Sequence, residues 1–389
     1  MASNDTAFIA PGATLGVLGG GQLGRMFVQA AEQMGYATAV LDDDEASPAG
    51  LTAHVHIPAR FDDAAGLSRL AEHCAAVTTE FENVPAASLA ALAVHRRVAP
   101  AAAAVAVCQD RAAEKAHFLR CQVPCAPHHL IDSPESLAQV PADLLPGILK
   151  TARLGYDGKG QVRVTERAGL AAAWQSLGSA PCLLEKMLPL ALELSVIVAR
   201  HANGTVVHLP VQHNLHRDGI LAITRVPAPG VSADLCAEAV RAAERLAASL
   251  AYVGVLCVEF FVLQDGSLVA NEMAPRPHNS GHHSLDSCDV SQFELQVRTL
   301  TGAPLAAPRL HSSAVMLNLL GELWWVQGRE QTPPWAAVLA LPGAHLHLYG
   351  KTAPRPGRKM GHLTCTAPEL AQAEAVAQQA MALLGLPAL

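Results

Sequence analysis

Two acidic residues, Glu259 and Glu272, lie on an apolar stretch that has the pattern of a β-hairpin. Residues 255–263 form an apolar run, a Gln-Asp-Gly turn follows, and a second apolar run occupies residues 267–270. This hairpin places the two carboxylates near its open end, roughly opposite each other, with Asn271 beside them. Because unpaired carboxylates are costly to bury, we expect a cation between them, and oxygen ligands favour Mg²⁺. The alternative is a solvated strand end without a metal.

The loop that follows the hairpin supplies hydrogen-bond donors between its prolines and a glycine. It carries Arg276, His278 and Asn279. An arginine can bind a carboxylate or a phosphate through two parallel hydrogen bonds. The loop therefore predicts a site for an anionic substrate beside the cation.

The composition excludes several classes of function. With 389 residues, of which 51% are hydrophobic and 16% charged, the chain can form two or three globular domains. The net charge of −7 argues against a nucleic-acid partner, which would need a broad basic surface. Nine scattered cysteines lack the spacing of a disulfide framework or a zinc site. Since neither a signal-peptide pattern nor an apolar run of membrane-spanning length occurs, we expect a cytoplasmic protein without membrane contact.

The N-terminal part of the chain alternates between strands and helices. An apolar strand at residues 14–18 runs into a glycine turn at 19–24, and residues 25–34 have helical spacing. A second strand at residues 36–41 ends in three aspartates, so the segment satisfies the Gly-x-Gly-x-x-Gly dinucleotide pattern. Any phosphate can bind such a turn, so nicotinamide binding is only one alternative. We predict an α/β, Rossmann-like domain that ends near residue 105.

Two further acids, Glu80 and Glu82, follow the predicted strand at residues 76–79. Open α/β sheets bind their ligands at the carboxyl ends of the strands. Acids are also common in the first turn of a helix, which is the structural alternative.

A glycine-rich loop follows a predicted strand that ends in Lys150. The loop spans residues 153–161 and leads into another strand at 162–165. Glycines and a lysine between two strands predict a mobile flap that closes its N–H groups over phosphates, although the context is not that of a Walker loop. Beyond the strand at residues 182–185, the sequence Glu-Lys-Met-Leu at 185–188 suits an adenine pocket, with backbone groups at the base edge and apolar walls.

The densest basic cluster of this acidic chain lies in its last eighty residues. Lys351, Arg355, Arg358 and Lys359 occur in a segment that also contains two prolines. A solvated surface turn and a phosphate site are both compatible with this pattern.

Six motifs in this order resemble the ATP-grasp superfamily and, more narrowly, the family of 5-(carboxyamino)imidazole ribonucleotide synthases, the ATPase subunits of phosphoribosylaminoimidazole carboxylase. They are Gly-Gly-Gly-Gln-Leu-Gly-Arg-Met at 19–26, Glu-Phe-Glu-Asn-Val-Pro at 80–85, Gly-Tyr-Asp-Gly-Lys-Gly-Gln at 155–161, Asn-x-His-x-x-Gly-Ile at 214–220, Ala-Pro-Arg-Pro-His-Asn-Ser-Gly-His at 274–282, and Leu-Tyr-Gly-Lys with Arg-Lys-Met-Gly-His within 348–362. The resemblance extends over about residues 14–365. One departure is His283, where the family often has tyrosine, and this affects the shape of the loop.

The resemblance implies a mixed α/β and α+β fold in three parts. A Rossmann-like pre-ATP-grasp domain would occupy residues 1–105, and an ATP-grasp domain of two α+β lobes residues 106–305. A small β-rich domain would occupy residues 306–389. The resemblance also implies a homodimer whose product passes to a mutase.

The reaction that the resemblance implies uses ATP and Mg²⁺ as cofactors. Bicarbonate would be phosphorylated to carboxyphosphate, which delivers CO₂ to the exocyclic amine of aminoimidazole ribonucleotide in purine biosynthesis. The expected metal ligands are Glu259 and Glu272, and either His278 or Asp157 would accept the proton of the amine.

The resemblance further implies three sets of site residues. The catalytic set comprises Arg276, His278, Asn279, Asp157, Tyr156, Glu82 and Lys359. The ATP-binding set comprises Arg111, Lys150, Gly155, Tyr156, Asp157, Gly158, Lys159, Gly160, Gln161, Glu185, Lys186, Met187, Leu188, Glu193, His216, Asn271 and Glu272. The set that binds the ribonucleotide comprises Gln22, Leu23, Glu80, Lys351 and Arg358.

Other functions remain as alternatives at this point. Within the fold, another ATP-grasp ligase of purine metabolism or a biotin carboxylase-like subunit would use similar residues. A nicotinamide oxidoreductase would leave the two metal acids unexplained, whereas a non-catalytic nucleotide sensor would bind ATP without turnover.

Overall fold

The computed structural model describes residues 7–155 and 160–388, and the fold is presented for these residues. The N-terminal part is a parallel sheet with the strand order β3-β2-β1-β4-β5. Its elements are β1 (Thr14–Leu18), α1 (Gln22–Gln33), β2 (Ala37–Leu41), β3 (Val55–Ile57), α2 (Ala64–His73), β4 (Ala76–Thr79), α3 (Ala86–Ala93), β5 (Arg97–Val98) and α4 (Ala102–Cys108). The apolar strands and the intervening helices predicted from the sequence are therefore present, as expected for a sheet that is covered on both faces.

An antiparallel sheet with the order β6-β9-β7-β8 follows the helix α5 (Arg111–Arg120). Its elements are β6 (His128–Ile131), α6 (Pro134–Ala138), β7 (Gly147–Thr151), β8 (Gln161–Val164), α7 (Leu170–Ser176) and β9 (Cys182–Lys186). The side chain of Asp110 accepts hydrogen bonds from the N–H groups of Ala112 and Ala113, which defines the start of α5.

A long antiparallel sheet has the order β15-β14-β10-β12-β13-β16-β20-β19, and β11 pairs with β10. Its elements are β10 (Leu190–Arg200), β11 (Val206–His208), β12 (Gln212–Arg217), β13 (Ile220–Val226), α8 (Ala233–Ser249), β14 (Gly254–Leu263), β15 (Leu268–Ala274), α9 (Ser284–Ser287), α10 (Gln292–Thr301), β16 (Ser313–Leu320), β17 (Trp325–Val326), β18 (Arg329–Glu330), α11 (Trp335–Leu339), β19 (Ala344–Leu348), β20 (Lys359–Ala367) and α12 (Leu370–Leu384). The strands near the C-terminus thus extend the sheet that carries the acidic hairpin.

Helix α10 connects this sheet to the N-terminal part. Val297 and Leu300 share a buried cluster with Leu15 and Phe27. The side chain of Gln296 also donates a hydrogen bond to the hydroxyl of Thr78. The loop between β15 and α10 is therefore anchored at its start by β15 and at its end by α10.

The sequence expectations differ from the structure mainly at element boundaries and near the C-terminus. Helix α1 begins at Gln22 rather than at residue 25, because the glycine turn itself leads directly into the helix. Strand β20 occupies residues where we expected only a basic turn, and helix α12 was not predicted. The mixed α/β fold is confirmed, whereas the domain limits at residues 105 and 305 stay predictions. Among the described helices, none has both the length and the hydropathy needed to cross a membrane.

Candidate active site

A cavity of about 660 Å³ lies where the N-terminal glycine turn, the acidic hairpin and the basic segment meet. Many of the predicted site residues line it. These are Gln22, Leu23, Glu80, Glu82, Arg111, Gly155, Glu259, Glu272, Arg276, His278, Asn279, Lys351, Arg358 and Lys359. Residues up to 337 positions apart in the chain, such as Gln22 and Lys359, thus share one cavity.

The two hairpin acids face each other as predicted, because Glu259 and Glu272 are directly paired across β14 and β15. Burial, together with the charge of Glu272, raises the pKa of Glu259. Burial alone would also raise the pKa of Glu272, but the cations of Arg111 and Lys150 outweigh this effect and lower it. Arg111 lies 3.0 Å from the Glu272 carboxylate. The two opposed carboxylates form a site that can accept a further cation.

A third oxygen is available beside this pair. The side-chain Oδ1 of Asn271 is buried and has no hydrogen-bond partner among the described residues. A buried amide oxygen without a partner is unfavourable unless a ligand or water satisfies it. Two carboxylates and this amide oxygen are the donor types that Mg²⁺ prefers, so the residues fit the expected ion.

A buried ion-pair cluster adjoins the acids. The Glu185 carboxylate lies 2.9 Å from the Lys150 ammonium and 3.4 Å from that of Lys115. Burial would raise the pKa of Glu185, but the two lysines outweigh it and lower the pKa to about 2. Lys115 also donates to the carbonyl of Asn271 over 2.6 Å. Lys115 was not assigned to the site from the sequence, because the sequence shows only that this lysine lies in a polar helix.

We expect a Lys115→Met variant to be strongly destabilised, because Lys115 is fully buried and its removal leaves Glu185 with one partner fewer. Removing one partner of a buried ion pair costs about 3–5 kcal/mol in the free energy of unfolding. Urea unfolding measures this loss. Arg60→Met is the matched control, since Arg60 is 75% exposed and its ion pair with Asp62 lies at the surface. Equal losses in both variants would contradict the structural role of Lys115.

The predicted adenine segment lies at the end of β9. The N–H groups of Lys186 and Met187 donate to the carbonyls of Pro127 and Pro146, both over 2.9 Å. These bonds fix the course of the backbone as it approaches Leu188. Ten of the predicted ATP-binding residues do not line the cavity among the described residues: Lys150, Gly160, Gln161, Glu185, Lys186, Met187, Leu188, Glu193, His216 and Asn271.

Glu193 and His216 form an ion pair of 2.6 Å between β10 and β12. Burial would lower the pKa of His216, but its contact with the Glu193 carboxylate and the charges of Glu259 and Glu272 together outweigh burial and raise the pKa. The two residues that were predicted separately for ATP binding are therefore brought into direct contact.

The flap predicted at residues 155–161 lies only partly within the described residues. Residues 156–159, which include Tyr156, Asp157, Gly158 and Lys159, lie outside the described residues. Gly155 lines the cavity, and the carbonyl of Gly160 accepts a hydrogen bond from Thr151. Gln161 is paired with Lys150 in the sheet.

Arg276 forms an ion pair with Glu82 across the cavity. Burial would lower the pKa of Arg276, but the charge of Glu82, the hydrogen bond to Glu82 and the charge of Glu80 act together against it, and the pKa is raised. The pair joins the loop after β15 to the loop after β4, so the two predicted catalytic residues hold the N-terminal part against the hairpin.

His278 and Asn279 follow on the same loop. The Nε2 atom of His278 lies 3.4 Å from the Glu259 carboxylate. Burial and the charge of Arg276 lower the pKa of His278 well below its ordinary value. Both polar side-chain atoms of Asn279 are buried without a hydrogen-bond partner among the described residues. An amide in this state can bind a polar ligand in the cavity.

The glycine turn is occupied by acids of the protein itself. The Glu80 carboxylate accepts hydrogen bonds from the N–H groups of Gly21 and Gly24, and Asp42 accepts one from Gly20. A side chain added at Gly21 would approach the Glu80 carboxylate to 2.6 Å, so it would displace that carboxylate from the turn. Because Glu80 fills the helix N-terminus where a pyrophosphate would bind, the geometry argues against the nicotinamide alternative.

The basic segment between β19 and β20 forms a wall of the cavity. Lys351 donates to the side-chain oxygen of Gln22 over 2.7 Å, which connects the C-terminal part to the glycine turn. Arg358 donates to the carbonyl of Ala353 over 2.7 Å and also lines the cavity, as does Arg355. The segment is therefore part of the candidate site, and Arg355 joins the residues that were not assigned from the sequence.

A histidine cluster lies behind this wall. Asp286, His347 and His362 bring their polar atoms within 4.8 Å of one another. The rings of His347 and His362 are parallel within 10°, and their centroids are 4.5 Å apart. Since the lone pair of an imidazole nitrogen lies in the ring plane, one ion could not lie in the planes of both rings. The three side chains pack against one another, and their arrangement does not favour a metal.

Sequence comparisons agree with this arrangement. The ATP-grasp domain family matches residues 116–293, the ribonucleotide synthetase preATP-grasp domain family matches 12–109, and the phosphoribosylaminoimidazole carboxylase C-terminal domain family matches 314–376. An N5-carboxyaminoimidazole ribonucleotide synthase of Brucella melitensis is 44% identical over 92% of this chain and 98% of its own. The chain belongs to the N5-carboxyaminoimidazole ribonucleotide synthase family. The Bacillus subtilis synthase is 40% identical, with 92% of each chain covered.

Solved structures of N5-carboxyaminoimidazole ribonucleotide synthases share the fold. The Staphylococcus aureus enzyme complexed with ADP is 35% identical with a TM-score of 0.88, covering 98% of this chain and 100% of its own. The Aspergillus clavatus enzyme in complex with ADP and 5-aminoimidazole ribonucleotide is 32% identical with a TM-score of 0.87, covering 96% and 98%. The fold class expected from the sequence is thereby confirmed.

Proposed function

We propose that the chain catalyses the ATP-dependent carboxylation of 5-aminoimidazole ribonucleotide by bicarbonate in purine biosynthesis. The products are N5-carboxyaminoimidazole ribonucleotide, ADP and phosphate. The observation that carries this proposal is a single cavity lined by the opposed acids Glu259 and Glu272 and by the basic segment with Lys351 and Arg358. One end of the cavity suits phosphoryl transfer and the other suits the phosphate of a ribonucleotide.

Phosphoryl transfer requires positioning and neutralisation of charge more than covalent chemistry by the protein. Arg111 and Lys150 provide cations next to Glu272 and Glu185. Attack of bicarbonate on the γ-phosphate of ATP yields carboxyphosphate and ADP. The amine nitrogen then forms a bond to the carboxyl carbon, phosphate leaves, and the nitrogen loses one proton. Since carboxyphosphate hydrolyses readily, a flap at residues 155–161 that excludes water has a chemical purpose.

Glu259, Glu272 and Asn271 would hold Mg²⁺. When bound, the ion neutralises charge on the phosphates during transfer. The adenine would lie against residues 185–188, where the N–H groups of Lys186 and Met187 are already bonded to backbone carbonyls and the N–H of Leu188 would bind the base edge. Glu193, oriented by His216, would contact the ribose.

Arg276, His278 and Asn279 would bind the bicarbonate-derived anion. Arg276 is held by Glu82, which keeps the guanidinium beside the acids. Lys351 and Arg358 would bind the phosphate of the ribonucleotide, with Gln22 near its ribose. A guanidinium can bind a phosphate through two hydrogen bonds, and an ammonium adds a point charge.

Turnover with each component omitted tests the proposal. Release of ADP should require ATP, Mg²⁺, bicarbonate and 5-aminoimidazole ribonucleotide together, and ¹³C from labelled bicarbonate should appear in the ribonucleotide. Release of ADP with formate or another carboxylate in place of bicarbonate would favour a different ATP-grasp ligase. Binding of an ATP analogue without any turnover would favour a sensor.

We also propose a homodimer in the cytoplasm, with three domains divided near residues 105 and 305, whose product passes to a mutase. Sedimentation tests the oligomeric state. The mutase step is tested by adding such an enzyme and following the loss of the N-carboxylated product.

A further inference from the structure

We propose that Ser280 holds His278 in the tautomer whose Nε2 carries the proton, so that His278 acts as a neutral hydrogen-bond donor and not as the general base. This inference rests on the proposed function, because the anion that receives the hydrogen bond is the bicarbonate-derived substrate. It assigns Ser280 as a positioning residue for His278.

The decisive contacts are those at Nδ1 of His278. The backbone N–H of Ser280 donates to this nitrogen over 3.4 Å, and the hydroxyl of Ser280 lies 2.9 Å from it. A backbone N–H can only donate, so Nδ1 must present its lone pair. A neutral imidazole has one proton, which is therefore on Nε2.

A chain of buried hydrogen bonds holds the Ser280 hydroxyl in place. Ser195 lies 2.8 Å from Ser280, and the side-chain nitrogen of Asn214 donates to Ser195 over 2.8 Å. The side-chain oxygen of Asn214 accepts a hydrogen bond from Thr224 over 2.9 Å, and the Ser195 hydroxyl also lies 3.0 Å from the side-chain oxygen of Gln212. Ser195 and Ser280 are fully buried, and Asn214 is nearly so. Networks of this kind restrict side-chain rotation when each member has a partner.

The backbone of His278 is held independently by helix α10. The N–H of His278 donates to the side-chain oxygen of Gln292 over 2.9 Å. The side-chain nitrogen of Gln292 donates to the carbonyl of His278 over 2.8 Å. Gln292 is fully buried, so the backbone of His278 cannot shift without breaking both bonds.

The protonated Nε2 therefore faces the acids and the cavity. It lies 3.4 Å from the Glu259 carboxylate, which would repel a bare lone pair and attract an N–H. A donor at this position can bind an anionic oxygen of bicarbonate or of carboxyphosphate. A general base would need a lone pair on the same atom.

A direct test measures the ¹⁵N chemical shifts of the histidine rings, which distinguish a protonated from a bare nitrogen. In protein labelled only at histidine, the signals that disappear in a His278→Gln variant belong to His278. We expect a protonated Nε2 and a bare Nδ1. A protonated Nδ1 would overturn the proposal, and the measurement does not depend on whether the proposed reaction occurs.

Replacement of His278 tests the chemical role. Glutamine can place an amide N–H near the position of Nε2, whereas alanine cannot. We expect His278→Gln to retain a kcat at least about tenfold above that of His278→Ala, the effect of one hydrogen bond to a charged group. Equal losses in the two variants would overturn the donor role. If wild-type protein shows no bicarbonate-dependent ADP release, the proposed function fails, and the ¹⁵N shifts still decide the tautomer.

The contribution of Ser280 is tested against a matched serine. Ser287 is also buried and lies 2.8 Å from Nδ1 of another buried histidine, His283, in the same segment. We expect Ser280→Ala to lower kcat by about tenfold with little change in the KM for ATP, while Ser287→Ala has a much smaller effect. Equal kcat values for the two variants would show that Ser280 has no special role.

Discussion

A Glu272→Gln variant is expected to release ADP at least about a hundredfold more slowly than the wild-type protein, as found when one electrostatic contact to a transition state is lost. Glutamine has the same size as glutamate, so the fold should remain intact. The substitution removes the charge that pairs with Arg111 at 3.0 Å and that faces Glu259 across the hairpin. The measurement is ADP release at saturating ATP over a range of Mg²⁺ concentrations.

Glu374→Gln is the control for this substitution. Glu374 also pairs with an arginine, Arg225, at 3.0 Å, but it lies on helix α12 and does not line the cavity among the described residues. The Glu374→Gln variant should release ADP as fast as the wild-type protein. Near-normal turnover of Glu272→Gln at saturating Mg²⁺ would show that the acid pair does not hold the ion. Glu259→Gln should also be slow, although Glu272 can still contribute one carboxylate.

An Arg358→Ala variant is expected to need a much higher concentration of 5-aminoimidazole ribonucleotide. Loss of about 1.5–3 kcal/mol of charge-assisted hydrogen bonding corresponds to an increase in Kd of about tenfold to a hundredfold. Arg358 lines the cavity from the basic segment, far in sequence from the residues expected to bind ATP. Two titrations of each protein, one with the ribonucleotide and one with an ATP analogue, measure the effect.

Arg309→Ala is the matched control, because Arg309 is 85% exposed and pairs only with Asp289 among the described contacts. It should leave both affinities unchanged. If Arg358→Ala binds the ribonucleotide as tightly as the control, or if only ATP binding weakens, the basic segment is a solvated turn and not the phosphate site.

The sequence by itself determined the strands and helices whose hydrophobic pattern was strong. The strands at residues 14–18 and 76–79 were predicted with their observed bounds. The ends of the two hairpin strands were predicted within four residues. The register of the hairpin was also accessible, since a short turn between two strands places Glu259 opposite Glu272. These predictions succeeded because turn length and side-chain periodicity are local properties.

The tertiary structure decided which distant groups meet. Lys115 was not assigned from the sequence because only the packing of α5 against β15 brings its ammonium to Asn271 and Glu185. Glu80 was assigned to the ribonucleotide site from the sequence, but its contact with the N-terminus of α1 arises because β1 and β4 are neighbours in the sheet. The proton position on His278 depends on Ser280 and, through it, on Ser195 of another strand. Contacts between residues far apart in the chain have no local sequence signal, so only the folded structure reveals them.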